Sequence, residues 1–248
     1  MNHVICTPSQ NIVLSHIVLT GQVHQAEDLP CQDTVFTRLT DEYLFCGLAD
    51  GQSGTLYGAE GGRVCLEAIA DYIDSIGIHE LIHTAFPDEL PCMLVRSYRG
   101  KLLPLARERQ TDPKEFASTL LAIAVERKTG KYALLHLGDG CAVSIPQSGE
   151  PSLITGPDNG LTPRHTWLTT SPGAITHFRI CFGSLESKKR LMLLSDGATC
   201  FCRGSNILWR VRDLLRDGSA EQLRQKLDQS APSDDASCIL LDLWNPEN

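Results

Sequence analysis

The chain has no Cys-x-x-Cys pair, no basic cluster larger than Lys188-Lys189-Arg190, and no apolar run of membrane-spanning length. Each absence removes a class. A transmembrane helix needs about 20 consecutive apolar residues, so membrane partners are not expected. At a net charge of −8 without a basic face, binding to a nucleic-acid backbone is excluded. Trp167, Trp209 and Trp244 are too dispersed to form a base-stacking platform. Gly58–Gly62 lacks the Lys-Ser/Thr of a nucleotide-binding loop, and Gly100-Lys101 is followed by Leu102, so a phosphate-loop NTPase is unsupported. Met1–Ser9 lacks a basic start and a small-residue cleavage site, and Ile12–Thr20 is short and interrupted by His16. The expectation is a cytoplasmic chain without a signal peptide. Its ten scattered cysteines then read as reduced, mostly buried, small apolar residues.

What remains is ordinary globular composition over 248 residues, 42% hydrophobic and 21% charged, with no repeat, low-complexity tract or linker. A single domain spanning 1–248 is expected. Ile12–Thr20 alternates as a strand, and Val35–Leu39 with Tyr43–Leu48 reads as a hairpin. Gly62–Ile76 places Val64, Cys65, Ala68, Ile69, Tyr72, Ile73 and Ile76 on one helical stripe. His79–Arg109 follows as one or two helices with breaks at Pro87, Pro91 and Pro104. Phe116–Glu126, Tyr132–Leu137 and Cys141–Ile145 read as strands, as do Ile175–Phe182, Leu191–Leu194 and Ala236–Leu243. Ile207–Leu215 and Glu221–Gln229 read as helices, and residues 146–176, rich in proline and glycine, as a candidate flap or irregular subdomain. Strands in antiparallel runs with helices in blocks argue for an α+β sandwich of sheets covered by helices.

Aspartates recur at the strand mouths. Asp50, Asp139 and Asp196 each end an apolar run and precede a glycine; Asp33 and Asp234 open strands after turns containing Pro30 and Pro232. A single Asp-Gly is usually just a turn. Carboxylates gathered at one end of a sheet repel unless a cation lies between them. Hard oxygen donors without a nearby Cys/His set favour Mg²⁺ or Mn²⁺. Gly51 would let a ligand approach the backbone closely.

The ordered set Gly21-Gln-Val-His24 through Gln32-Asp33, Leu48-Ala-Asp50-Gly51, Leu137-Gly-Asp139-Gly140, Leu193-Leu-Ser-Asp196-Gly197 and Asp234-Asp-Ala-Ser237 resembles the type 2C metal-dependent protein serine/threonine phosphatases, in particular their compact bacterial branch. The resemblance implies an α-β-β-α sandwich of two antiparallel sheets flanked by helices, with a two-metal centre at one end. It implies Mn²⁺ or Mg²⁺ as cofactor, with Asp50 bridging the ions and the Gly51 carbonyl on one of them. Asp196 and Asp234 would complete the second ion's shell, Asp33 and Gln32 would hold metal-bound water, and Asp139 would meet a third, weaker ion. A hydroxide shared by the ions would attack phosphorus with no phosphoenzyme. The implied partner is a protein phosphorylated on serine or threonine, a kinase of that specificity or one of its targets.

Two positions depart from the family pattern. His24 stands where an arginine commonly grips phosphate, and it lies farther from Gln32-Asp33 than is usual. Gln52 stands where many members have His or Met, and its amide cannot act as a general acid, so leaving-group protonation falls to His24 or to solvent. Those departures support an alternative, a phosphatase-like regulatory or binding module. A third reading comes from His79-Glu80-Leu81-Ile82-His83, which matches the H-E-x-x-H of zinc hydrolases. Its context is poor: Phe86 and Glu89 replace the extended pattern, and Glu108 is only a distant third-ligand candidate. Cys200 and Cys202, just after Asp196, are candidates for oxidation sensitivity.

Overall fold

The computed structural model describes residues 3–6, 11–160 and 166–244. Two antiparallel sheets lie back to back. The first has the order β1-β2-β13-β10-β7-β8, formed by His3–Cys6, Asn11–Leu19, Ala236–Trp244, Lys188–Leu194, Cys141–Pro146 and Ser152–Thr155. The second has the order β3-β4-β5-β6-β9, formed by Asp33–Leu39, Tyr43–Asp50, Leu120–Glu126, Lys131–Leu137 and Arg179–Ser184. Cys202–Arg203 and Asn206–Ile207 (β11, β12) make a separate small hairpin. No helix among the described residues is long and apolar enough to cross a membrane.

Period-two side-chain placement builds three apolar layers from these strands. Leu44, Cys46 and Leu48 of β4 and Leu121, Ile123 and Val125 of β5 point between the sheets, meeting Leu191 and Leu193 of β10 and Ile239 and Leu241 of β13. The alternate residues Tyr43, Phe45, Ala122 and Ala124 face outward onto α2 (Gly58–Ile76) and α4 (Leu90–Glu108). Met192, Leu194, Cys238 and Leu240 face α6 (Arg212–Asp217) and α7 (Ala220–Gln229) on the other side. Burial on both faces explains why these strands read as nearly continuous apolar runs. The short helices α1 (Gln22–Ala26), α3 (Ile78–Ile82) and α5 (Ala174–His177) complete the chain.

The structure corrects several boundaries. Ile175–Phe182 is not one strand: α5 comes first, and β9 pairs with β6 only from Arg179. As the outer strand of its sheet, β9 is only partly buried, so it carries little alternation. Ile207–Leu215 is not one helix, because Leu208 N–H donates to the Phe201 carbonyl at 3.0 Å and α6 starts at Arg212. Phe116 belongs to a 3-10 turn, Pro113–Phe116, capped by the Asp112 side chain, and β5 begins at Leu120. Pro104 lies inside α4 without ending it, while Pro91 occupies the first turn, where its missing N–H costs nothing. The candidate flap carries β8 and α5; its residues 161–165 lie outside the described residues, as does much of Met1–Ser9. The nine cysteines from Cys31 to Cys238 are free thiols.

Candidate metal centre

The register of β3 with β4 sets Asp33 directly opposite Asp50 at the open end of the second sheet. β6 stops at Leu137, and the turn through Gly138, at φ 122°, presents Asp139. In the facing sheet, Ser195 N–H donates to the Ser237 carbonyl at 3.0 Å, and Ser237 N–H donates to Ser195 Oγ at 2.8 Å. That pair fixes the exit of β10 against the entry of β13, so Asp196 and Asp234 arrive at the same end. Oxygens of Asp50, Asp139 and Asp196 lie within 4.8 Å of one another. With Asp234, Thr119, Gln52 and Lys114 they line a cleft of about 520 Å³.

The backbone at Asp50 is held from both sides. Its N–H donates to Thr119 Oγ1 at 3.0 Å, and its carbonyl accepts from Thr119 N–H at 2.8 Å. Gly51 N–H donates to the Gln32 carbonyl at 3.1 Å. A Cβ at Gly51 would come within 2.7 Å of the Gly58 backbone. The glycine is therefore required by the approach of α2, a reason different from the ligand approach expected from the sequence. Gln32 Oε1 accepts from Ala59 N–H at 3.1 Å, so this side chain serves the first turn of α2.

Crowding of carboxylates sets the electrostatics. Burial, followed by the charges of Asp33, Asp196 and Asp234, pushes Asp50 well above the ordinary carboxylate range. Burial, followed by the charge of Asp139, pushes Asp196 up to about 7. Asp33 is raised to about 6, chiefly by burial, with the nearby hydroxyls of Ser237 and Ser195 opposing the shift. Neither hydroxyl completes a hydrogen bond to it: both Asp33 carboxylate oxygens, and Oδ1 of Asp196, are buried and have no hydrogen-bond partner among the described residues. Buried acceptors are ordinarily satisfied. Orphaned carboxylate oxygens around a polar cleft are the environment that a hard divalent cation and its waters would complete, so the donor set fits Mg²⁺ or Mn²⁺.

Asp235, which the motif reading passed over, is 1% exposed and gathers three donors. Gly21 N–H reaches it at 2.7 Å, Gln32 N–H at 2.5 Å, and His24 Nδ1 lies 2.8 Å from its Oδ2. The carboxylate thus ties the α1 loop and the entry to β3 onto the start of β13. His24 is engaged in this tie and does not line the cleft. Among the described residues, the cation that lines it is Lys114, whose exposed side chain has no partner there. The sequence signal for Lys114 was weak because nothing in its local pattern marks a charged residue carried on a 3-10 turn.

Residues 20–230 match the sequence profile of the family described as protein phosphatase 2C. The chain belongs to the protein phosphatase 2C family. No curated protein matches this family member significantly by sequence. Its fold is shared with solved structures at low identity. RsbX in complex with magnesium aligns with TM-score 0.61 and 14% identity, covering 98% of this phosphatase 2C chain and 100% of that one. The serine/threonine phosphatase Stp1 from Staphylococcus aureus aligns with TM-score 0.67 and 16% identity over 98% and 97% of the two chains. The catalytic domain of the serine threonine protein phosphatase PstP, in complex with two manganese ions, gives 0.67 and 18% over 94% and 99%.

Proposed function

We propose that this phosphatase 2C chain is a Mn²⁺- or Mg²⁺-dependent hydrolase of phosphoserine and phosphothreonine in proteins, acting on substrates of a kinase of that specificity. The observation that carries the reading is the convergence of Asp50, Asp139 and Asp196 within 4.8 Å, in a chain matching the family over residues 20–230. Asp50, Asp196, Asp234 and the Gly51 carbonyl would hold the ions, with Asp139 available to a further, weaker one. When bound, the ions supply positive charge to the phosphoryl oxygens and acidify water for attack on phosphorus.

The chain's own groups divide the remaining work. Asp33, buried and with both oxygens unpaired among the described residues, orients the attacking water by accepting its hydrogen bonds. Thr119 keeps Asp50 in register from both backbone sides. Lys114 places an exposed ammonium on the cleft wall, where it draws in the phosphate; His24, held by Asp235, is not placed to do so. Gln52 lines the cleft but has no acidic proton, so solvent protonates the leaving serine oxygen.

The deciding assay is Mn²⁺-dependent hydrolysis of an aryl phosphate and a phosphoserine peptide by the wild type and by Asp50→Asn. Turnover by the wild type that the variant lacks supports the reading. Equal turnover by both overturns the site. The engagement of His24 favours a second reading, a phosphatase-like binding module. Calorimetric Mn²⁺ binding without turnover of either substrate would select it.

A further inference from the structure

The phosphatase centre makes no use of His79-Glu80-Leu81-Ile82-His83, yet the fold gives this stretch a third donor that its sequence context lacks. Ile78 and Leu81 of α3 are buried against the helix-side core. His79 and His83, four residues apart, share the opposite, exposed side of that turn. Glu126, the last residue of β5, meets them there. His79 Nδ1 lies 3.1 Å from Glu126 Oε1, the two imidazole centroids are 4.4 Å apart, and one donor atom from each of the three residues falls within a 4.8 Å set.

We propose that His79, His83 and Glu126 form a second cation site, selective for a borderline transition metal such as Zn²⁺ and separate from the aspartate cleft. Two imidazole nitrogens and one carboxylate oxygen suit zinc rather than Mg²⁺ or Mn²⁺. Bonds of about 2.1 Å to a tetrahedral ion put its donors about 3.4 Å apart. The His79–Glu126 edge is already near that length, and the exposed ring of His83 can turn to close the rest.

Glu126 is prepared for the task. It is only 6% exposed, and its Oε2 accepts from Thr129 Oγ1, which leaves Oε1 directed at the histidines. A hydroxyl behind a ligating carboxylate is the usual outer-shell support of a metal site. A simple His79–Glu126 hydrogen bond would account for that pair but not for His83, whose ring lies tilted 38° against that of His79 and makes no hydrogen bond among the described residues. Two adjacent imidazoles would repel if both were protonated, whereas both can ligate one ion.

The site is remote from the phosphatase centre. Glu126 pairs with Tyr43, where β4 begins, while Asp50 is where β4 ends. At the usual rise per residue the two sites lie roughly 23 Å apart along the strand. An ion here would clamp α3, and with it the connection between α2 and α4, onto the end of β5.

The test uses the full chain without a polyhistidine tag, carrying Asp50→Asn so that the cleft does not compete. Zn²⁺ calorimetry is run on this protein and on versions that also carry His83→Ala, Glu126→Gln or Thr129→Val. Co²⁺ loading gives a spectroscopic readout. One Zn²⁺ per chain is expected, with the visible bands of tetrahedral Co²⁺. His83→Ala and Glu126→Gln should each abolish both signals, and Thr129→Val should weaken binding about 10-fold. His83→Ala should melt at the same temperature as its parent without metal, so that loss of binding is not loss of fold. Unchanged Zn²⁺ affinity in His83→Ala, or no Zn²⁺ binding by the parent, overturns the site. Neither result bears on the phosphatase reading, because no arm measures turnover.

Discussion

Asp33 and Asp50 face each other directly across the β3–β4 pair, a buried and a half-buried carboxylate at the mouth of one hairpin. Opposed residues on adjacent strands hold their Cβ atoms only about 5 Å apart. Like charges at that distance oppose ionisation, and with Asp196 across the cleft the cost of full ionisation is shared by the whole group.

Stability without metal should therefore depend on pH in the sense opposite to a salt-bridged acid. Burial raises Asp33 to about 6 and Asp196 to about 7, from 3.8. Across that interval the folded chain keeps protons that the unfolded chain has released. That contribution to stability is fully present below about pH 3.8 and is lost as pH rises through about 7. Melting in chelator should occur at higher temperature at pH 5 than at pH 8, and saturating Mn²⁺ should abolish that difference. A chelated protein that melts higher at pH 8 would contradict the assignment.

Asp50→Asn removes one of the repelling carboxylates while keeping its shape. The variant should be at least as stable as wild type in chelator at pH 8, yet gain little from Mn²⁺. Outer-shell groups alone are worth 10–100-fold in metal sites, so turnover should fall by more than about 100-fold. Thermal shift with and without Mn²⁺, read beside aryl phosphate hydrolysis, checks both halves.

Lys114 offers a cleaner separation of binding from chemistry. Its side chain makes no hydrogen bond or ion pair among the described residues, so Lys114→Met should leave the melting temperature unchanged. Loss of one exposed charge near the incoming phosphate should raise KM several-fold with little change in kcat, corresponding to about 1 kcal/mol of uniform binding. Raising the salt concentration should shrink the difference between variant and wild type. Steady-state kinetics at two ionic strengths would decide it.

The strands that build the sandwich were legible because each is buried on both faces: β4, β5 and β13 declare themselves as apolar runs, and their ends deliver Asp50 and Asp234. The order of the Asp-Gly pairs carried the family resemblance, and residues 20–230 match that family. What stayed hidden depends on contacts between distant parts of the chain. Asp235 is a local neighbour of Asp234 in sequence, but its donors at Gly21, His24 and Gln32 come from the other end of the chain. Glu126 looks like the end of a strand until α3 lays two histidines beside it. Gly51 has a sequence signature of a turn, while its physical requirement comes from the backbone of α2. Local pattern predicts an element; it does not predict which charged residue another element will bring to it.

A similar long-range dependence governs Thr119. Its hydroxyl accepts the Asp50 N–H at 3.0 Å and its own N–H donates to the Asp50 carbonyl at 2.8 Å, so the residue just before β5 sets the position of the carboxylate on β4. Thr119→Val keeps the volume and the second of these bonds but leaves the Asp50 N–H without an acceptor in a largely buried place. An unsatisfied donor of that kind costs about 1–3 kcal/mol. Part of that cost should appear as a lower melting temperature, and part as a displaced Asp50 that lowers kcat about 10-fold even in the fully folded protein. Thr119→Ser restores the acceptor and should recover both. If Thr119→Val loses stability but keeps wild-type kcat, the hydroxyl supports the fold alone, and the position of Asp50 is fixed by the backbone of β4 without it.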